Sequence, residues 1–392
     1  MKFQLQHFGP IASADVELGD LTVAVGPQAT GKSLLWQTLK LALDSRAIRA
    51  RFERAGISWG QDRDSAVNLY FGEGMRSLVS GDTSMRLDGK SLEIDKLVRR
   101  PRGKQPADAD AERVFYIPAQ RVMALRSGAT RPFTDFHLGD PFVLRAFGDD
   151  LHRLVQMEFA SSPTLFPKKN RLKSELRDKL ENALYRGFAL ALHTDAHSGQ
   201  KQMVLTKGNT HLPVLAWSAG QREFTPLLLG LYWLMPAGAI NRREAIEWVV
   251  IEEPEMGLHP RAVMAFLLLV LDLLKRGYRV ALSTHSTVVL DAVWGLRTLQ
   301  RHSGTVADVL RLFDLPSNPP MKELAKAVLE KSLRVLYFDP KTEGSVVTDI
   351  SDLDPGSDDT AQANWGGLTA FTAAVGDVVA DVVQRSFAGD TP

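Results

Sequence analysis

The chain contains no cysteine. That absence excludes disulfides, thiolate metal sites and a cysteine nucleophile, and it fits a reducing compartment. An excess of charge of one sign is also lacking. The 47 Lys and Arg residues face 46 Asp and Glu, for a formal net charge of +1. No overall field therefore draws nucleic acid, and any such contact must come from a local patch. Long hydrophobic runs are missing: the most apolar stretches, residues 227–235 and 266–274, are too short to span a bilayer. Met1, Lys2, Phe3, Gln4 and Leu5 alternate like a strand rather than opening a secretory leader. There is no internal repeat and no sustained heptad pattern, which rules out long coiled-coil arms. The expectation is a soluble, cytoplasmic protein with no membrane association. At 392 residues, 44% hydrophobic and 24% charged, it has room for a large core and about two or three domains.

What is present begins at Gly26-Pro27-Gln28-Ala29-Thr30-Gly31-Lys32-Ser33, which reads G-x-x-x-x-G-K-S. Residues 21–25 before it form a short apolar, β-branched run, as in a buried strand. After it, Leu34, Leu35, Leu39 and Leu43 recur at helical spacing. Strand, glycine loop and helix together make a phosphate-binding loop: backbone N–H groups cradle phosphate oxygens at the positive end of the helix. Lys32 would reach the terminal phosphates and the Ser33 hydroxyl would hold Mg²⁺. A second apolar run, Trp248-Val249-Val250-Ile251, ends in Glu252-Glu253. Acids closing such a strand are costly unless a cation or solvent lies there. Glu252 can hold Mg²⁺, and Glu253 can orient or deprotonate a water. His285 follows another buried strand, 279–283, at the side of a parallel sheet where ligands bind. Ser218, Ala219, Gly220, Gln221 and Arg222 open a long apolar helix; Ser218 serves equally as a helix cap or as part of an anion site.

The remaining pattern places strands at 2–8 and 14–18, a helix to about Arg54, short strands with glycine turns over 65–98, and a strand at 114–117. Residues 141–186 read as helical with a break near Ser161, and 202–206 with 211–215 as a hairpin. Helices are expected over 220–234 and 261–275. A hairpin at 335–338 and 345–350 and a helix from Leu368 to about Arg385 complete the chain. Strands and helices alternating around a glycine loop mean an α/β fold with a mostly parallel sheet.

The order of these motifs, with Leu258-His259-Pro260, Ser283-Thr284-His285-Ser286, Phe8-Gly9-Pro10-Ile11 and Tyr116-Ile117-Pro118-Ala119-Gln120-Arg121, resembles the ABC-type ATPase domain of the SMC, RecF and OLD-like group. That group includes small prokaryotic AAA-type ATPases linked to anti-phage defence. The resemblance covers about residues 1–300. It implies an ABC-type ATPase head with an N-terminal antiparallel β portion, an inserted β region at about 65–110 and a helical insertion at about 141–200. A small α+β extension, 301–392, is left as a candidate partner-binding region. It also implies that residues 26–33 are Walker A, Glu252 the Walker B acid, Glu253 the catalytic glutamate and His285 the switch histidine. Residues 218–222 would be the signature that completes the ATP site of a second subunit, so that two ATPs are sandwiched in a dimer. Gln120 would be a Q-loop metal contact. The sequence departs from the group at Gln28 and Ala29 in the loop, Leu34 after it, Ala219 in the signature, and Glu252 in place of Asp. These departures remove no essential group and favour a slow switch over a fast motor. No nuclease domain is recognisable, which implies a protein effector in trans, a toxin or nuclease. A RecF-like DNA clamp and a scaffold that merely holds ATP are the alternatives.

Two basic stretches bear on the clamp. Lys168, Lys169, Arg171, Lys173, Arg177 and Lys179 could meet DNA or RNA phosphates, but Glu175, Asp178 and Glu181 interrupt them as on a salt-bridged helix. Residues 99–104 form the second. Asp349, Asp352, Asp354, Asp358 and Asp359 read as a solvated acidic loop rather than a metal cluster.

Overall fold

The computed structural model describes residues 1–59, 62–98, 111–159, 163–169, 171–194, 199, 201–236 and 242–389. Strands Leu21–Val25 and Trp248–Glu252 are buried at every position, as continuous apolar runs require when both faces of a sheet are covered. Both lie in one ten-stranded sheet. Its parallel portion runs Leu333–Lys341, Leu21–Val25, Arg279–Ser283, Trp248–Glu252, Val114–Ile117. Gly344–Asp349 then links it, by parallel pairing, to an N-terminal antiparallel portion of Ile11–Glu17, Lys2–Phe8, Val79–Leu87 and Lys90–Leu92.

Alternation along the strands divides the core into two layers. Val23, Val249, Ile251, Val280 and Leu282 face one layer, covered by helices Ala219–Leu234, Pro260–Lys275 and Thr287–Arg301. Ala24, Trp248, Val250 and Ala281 face the other, covered by helices Lys32–Arg54 and Arg63–Phe71. A separate four-stranded antiparallel sheet, in the order Thr210–Pro213, Lys201–Lys207, Ala189–Thr194, Thr164–Phe166, sits in the insertion after helix Phe142–Arg153.

Local details depart from the sequence expectation for identifiable reasons. Short strands were expected from residue 65, yet Arg63–Phe71 is a helix: the Asp62 side chain caps the Ser65 N–H, and Ala66, Val67, Tyr70 and Phe71 bury one face. Thr164–Phe166 lies within the stretch expected to be helical but pairs with Ala189–Thr194. The expected strand at 211–215 ends at Pro213, which has no N–H to continue the ladder, and Val214–Ala216 is a single 3-10 turn.

The largest difference concerns residues 301–392. The Leu333–Lys341 strand pairs in parallel with Leu21–Val25, with Val335 opposite Val23 and Tyr337 opposite Val25. A division at residue 300 therefore runs through the middle of one sheet. The approach is close: a Cβ on Gly26 would lie 2.7 Å from the Phe338 carbonyl oxygen, and Gly26 itself has φ 140°.

Candidate functional site

Parallel pairing brings four strand ends to one edge of the sheet. Ser283 sits opposite both Glu252 and Ala24, and Ile251 sits opposite Ile117. The loop at 26–33, the acid pair, His285 and the segment 118–121 consequently converge there, as ligand sites at the carboxyl ends of parallel strands do.

The loop has the conformation that phosphate cradling needs. Gly31 has φ 97°, and a Cβ there would lie 2.5 Å from Ile11 Cγ1, so glycine is required. Ala29 takes a left-handed φ of 60° despite its methyl group, a conformation costing about 1–2 kcal/mol for a non-glycine residue. Helix Lys32–Arg54 has neither a side-chain N-cap nor an acid in its first turn, which leaves its leading N–H groups for an anion. Lys32 is buried and folds back onto its own loop: Nζ donates to the carbonyls of Gly26 at 2.8 Å and Pro27 at 2.6 Å. Thr30 Oγ1 donates to the same Pro27 carbonyl at 2.8 Å. Burial pushes the Lys32 amine below its ordinary pKa, against the opposing fields of Glu253 and Glu255.

Glu252 is 2% exposed. Its carboxylate accepts from the Tyr116 hydroxyl at 2.7 Å and the Ala119 N–H at 3.0 Å. Burial pushes its pKa up, while hydrogen bonds from Ser33, Tyr116 and Ala119 oppose the shift. These partners are all neutral. A buried carboxylate with a hydroxyl beside it and no cationic hydrogen-bond partner fits a divalent cation, which would restore its charge. Glu253 leaves the strand in a left-handed conformation, φ 42°, and its N–H donates to the Ser283 carbonyl. His285 Nε2 lies 3.9 Å from Glu253 Oε1. Three buried polar atoms around this edge have no hydrogen-bond partner among the described residues: His285 Nε2, Glu255 Oε2 and Ser283 Oγ. Orphaned atoms occur elsewhere in the fold as well, at Trp36 and Arg145 for example, but at the strand ends they lie beside the glycine loop, where a polar ligand could pair them.

Two residues that carried no role in the sequence reading shape the site. Tyr116 is one. Arg121 is the other, with its side chain fully buried. It donates to the carbonyls of Glu252 at 2.9 Å, Glu253 at 3.0 Å and Glu223 at 3.1 Å, and lies 3.5 Å from the Glu223 carboxylate. A single guanidinium thus ties the end of the acid strand to helix Ala219–Leu234. Burial lowers the pKa of Arg121 and raises that of Glu223. The sequence signal was the 116–121 segment that takes part in the resemblance, an arginine shortly after an apolar strand and a proline, with no role attached to it.

Ser218 and Gln221 form a capping box: Ser218 Oγ accepts from the Gln221 N–H at 3.3 Å, and Gln221 Oε1 accepts from the Ser218 N–H at 3.1 Å. Gln221 Nε2 also donates to the Leu184 carbonyl at 3.1 Å. Ser218 is exposed, and Gly220 packs on the turn after the acid pair, where a Cβ would lie 2.8 Å from the Gly257 carbonyl oxygen. Gln120 is exposed and caps the Arg121–Ala124 turn without a side-chain hydrogen bond.

The other candidates lie elsewhere. Arg171 is buried, paired with Glu158 and donating to the Tyr232 and Met235 carbonyls. Arg177 pairs with Asp178, and Lys179 with Asp314. Much of that basic stretch is thus consumed inside the molecule. Residues 99–104 lie outside the described residues. Asp352 pairs with Arg297 and Arg301, Asp354 accepts from the Gly356 N–H, and Asp359 caps a short helix. No group of three or more His, Asp or Glu among the described residues is placed to hold a metal, and no described helix is long and apolar enough to cross a membrane.

Residues 137–291 match the family described as "AAA domain, putative AbiEii toxin, Type IV TA system". The matched segment holds Ser218, Glu252, Glu253 and His285 and leaves the 26–33 loop outside it. No curated protein matches the chain. Among solved structures, the chain is similar to an SMC head domain from Thermotoga maritima, at 12% identity over 89% of this chain and 97% of that one, TM-score 0.35. It is similar to an SMC head bound to the C-winged helix domain of ScpA, at 12% identity over 89% and 96%, TM-score 0.40. A dimeric bacterial ABC transporter cassette is similar at 10% identity over 73% and 88%, TM-score 0.32.

Proposed function

We propose that this chain is a P-loop ATPase of the ABC and SMC-head type that works as a slow switch: two copies close on two ATP molecules, and the closed state controls a protein effector. The observation that supports hydrolysis is the convergence of loop, acid pair and histidine, with His285 Nε2, Glu255 Oε2 and Ser283 Oγ buried and unpartnered among the described residues. In this reading the N–H groups of residues 26–33 bind the phosphates, and the Lys32 amine exchanges the Gly26 and Pro27 carbonyls for phosphate oxygens. Ser33 and Glu252 are the residues that would hold Mg²⁺, with Gln120 able to swing in from its exposed position. The ion, when bound, supplies charge neutralisation at the phosphates. Glu253 orients the attacking water and accepts its proton, and His285 donates from Nε2 toward the terminal phosphate.

Dimerisation is supported by the exposed start of helix Ala219–Leu234: the capping box takes the Ser218 and Gln221 N–H groups and leaves those of Ala219 and Gly220 for a phosphate offered from outside the subunit. The match of residues 137–291 to a family whose description names a type IV toxin–antitoxin system supports a setting in which this chain works with a second protein; the effector in trans and the role in prokaryotic anti-phage defence extend that reading. The internal pairing of Arg171, Arg177 and Lys179 argues against a DNA clamp built on that stretch.

Glu253→Gln tests the proposal. ATP binding should persist, phosphate release should fall by at least about 100-fold, and light scattering should show an ATP-dependent dimer that outlasts that of the unaltered protein. A monomer under every nucleotide condition would remove the sandwich, and undiminished phosphate release would remove Glu253 from the chemistry.

A further inference from the structure

Helix Ala370–Gly389 does not pack on either core layer. Every residue from Ala370 to Arg385 is exposed, including Phe371 at 81% and Val378 at 63%. Phe371, Val375, Val378 and Val382 follow the 4-3-4 spacing of a helix seam, and the exposed Val379 and Val383 widen it. Valine and Gly376 are poor helix formers, and a helix of this length is marginal alone in water. Its sequence makes sense only with the apolar stripe covered.

The root of this helix is firm. Trp365 is buried, donates from Nε1 to the Leu353 carbonyl at 3.1 Å, and packs near Trp294. Gly366 follows in a left-handed conformation, φ 68°, and a Cβ on it would lie 2.9 Å from Val25 Cγ2. Val25 immediately precedes the phosphate loop. The exposed helix is therefore anchored against the strand that carries the nucleotide site.

Charge identifies the occupant. From Leu353 to Ser386 the chain carries Asp354, Asp358, Asp359, Asp377 and Asp381 against Arg385 alone. All five aspartates are exposed. A second copy of this helix would bring like charges together, and an anionic lipid surface would be repelled. We propose that Ala370–Gly389 is the docking element for a protein partner whose apolar groove has a rim of Lys and Arg. The inference rests on the reading that an effector acts in trans, and it gives that effector's contact surface a location and a chemistry.

The test uses the full chain and two synthetic helical peptides of three heptads, both with leucine in the core positions, one flanked by lysine and the other by glutamate. The lysine peptide should bind at least about ten-fold more tightly, with the preference falling as salt rises. Asp377→Lys combined with Asp381→Lys should reverse the preference. Val378→Asp should abolish binding of either peptide without moving the thermal midpoint, since that side chain packs on nothing in the fold. Equal or absent binding of the two peptides overturns the proposal. So does nucleotide-free self-association that Val378→Asp removes, or binding to vesicles of phosphatidylserine. The peptide measurement needs no ATP, so a failed ATP-dependent dimer with intact peptide preference would sink the sandwich and leave the docking helix standing.

Discussion

Lys32 and Lys40 lie on the same helix, and both side chains are buried. Their surroundings are opposite. Lys40 Nζ contacts Asp44 at 3.0 Å, Glu112 at 2.7 Å and the Val114 carbonyl at 2.6 Å. Burial alone would lower its pKa, but Glu112 and Asp44 outweigh burial and raise it. The network continues: Arg51 joins Glu112 to Asp149 and Asp150, and Asp44 accepts from the Arg113 and Val114 N–H groups. Among the described residues, Lys32 Nζ donates to its own loop's carbonyls and to no carboxylate, and burial lowers its pKa. The first cluster holds strands and helices together; the second, Lys32 with the nearby Glu252, is the pair that the proposed function assigns to phosphate and Mg²⁺. What separates the two lysines is the charge of their partners, carboxylates for Lys40 and neutral carbonyls for Lys32, since burial and hydrogen bonding are common to both.

Breaking the first cluster should have the largest effect. Lys40→Met leaves Asp44 without its ammonium partner and should lower the urea unfolding free energy by about 3–5 kcal/mol. A loss under about 1 kcal/mol would erase the contrast. Lys32→Met should do the reverse: nucleotide-free stability within about 1 kcal/mol of the unaltered protein, but ATP affinity, by calorimetry, weaker by at least about 100-fold. Arg121→Lys keeps the charge but cannot span three carbonyls. Turnover should fall about 10- to 100-fold with the ATP dissociation constant nearly unchanged, the split expected when positioning is lost. Weaker ATP binding at full turnover would show that Arg121 holds the nucleotide instead.

The smallest effect is on pH dependence, where Glu112 of the first cluster and Glu252 of the second shift in opposite directions. Glu112 is pulled from 4.5 to about 2, burial being outweighed by Lys40 and Arg51. Its contribution is present above pH 4.5 and should be lost as pH falls toward 2; Glu112→Gln should flatten that limb of the stability curve. Glu252 is raised, so the nucleotide-free fold binds its proton more tightly than the unfolded chain does. That contribution is present below pH 4.5 and declines as pH rises above it. Stabilisation by Mg²⁺ and ATP needs the ionised form and should grow over the same rise, with Glu252→Gln removing the dependence.

Much of the site was legible because it is local. Gly26–Ser33 lies between a β-branched run and a leucine-spaced helix, and Glu252-Glu253 closes an unbroken apolar run, so each motif announced its own element. Ser218 was ambiguous in sequence, and the structure gives it a capping box, a role that leaves its helix start open to solvent. Arg121 and Tyr116 were not legible as site residues. Their partners are carbonyls and a carboxylate more than a hundred positions away, and no periodicity encodes such a contact. The Thr164–Phe166 strand was hidden for the same reason, since its edge pairing is set by a segment beyond the next helix.

The sequence by itself determined the strand, loop and helix of the candidate phosphate site, the acid pair that closes its own strand, and the absence of thiol chemistry, because these depend on residue type and short-range spacing. Only the tertiary structure decided that Leu333–Lys341 lies against the strand before the glycine loop, that Lys40 meets carboxylates while Lys32 meets loop carbonyls, and that one arginine joins the acid strand to the helix beginning at Ala219. Those outcomes depend on which distant segments share a sheet. Neighbour order in a sheet is fixed by total burial and pairing across the whole chain, which no single window of residues contains.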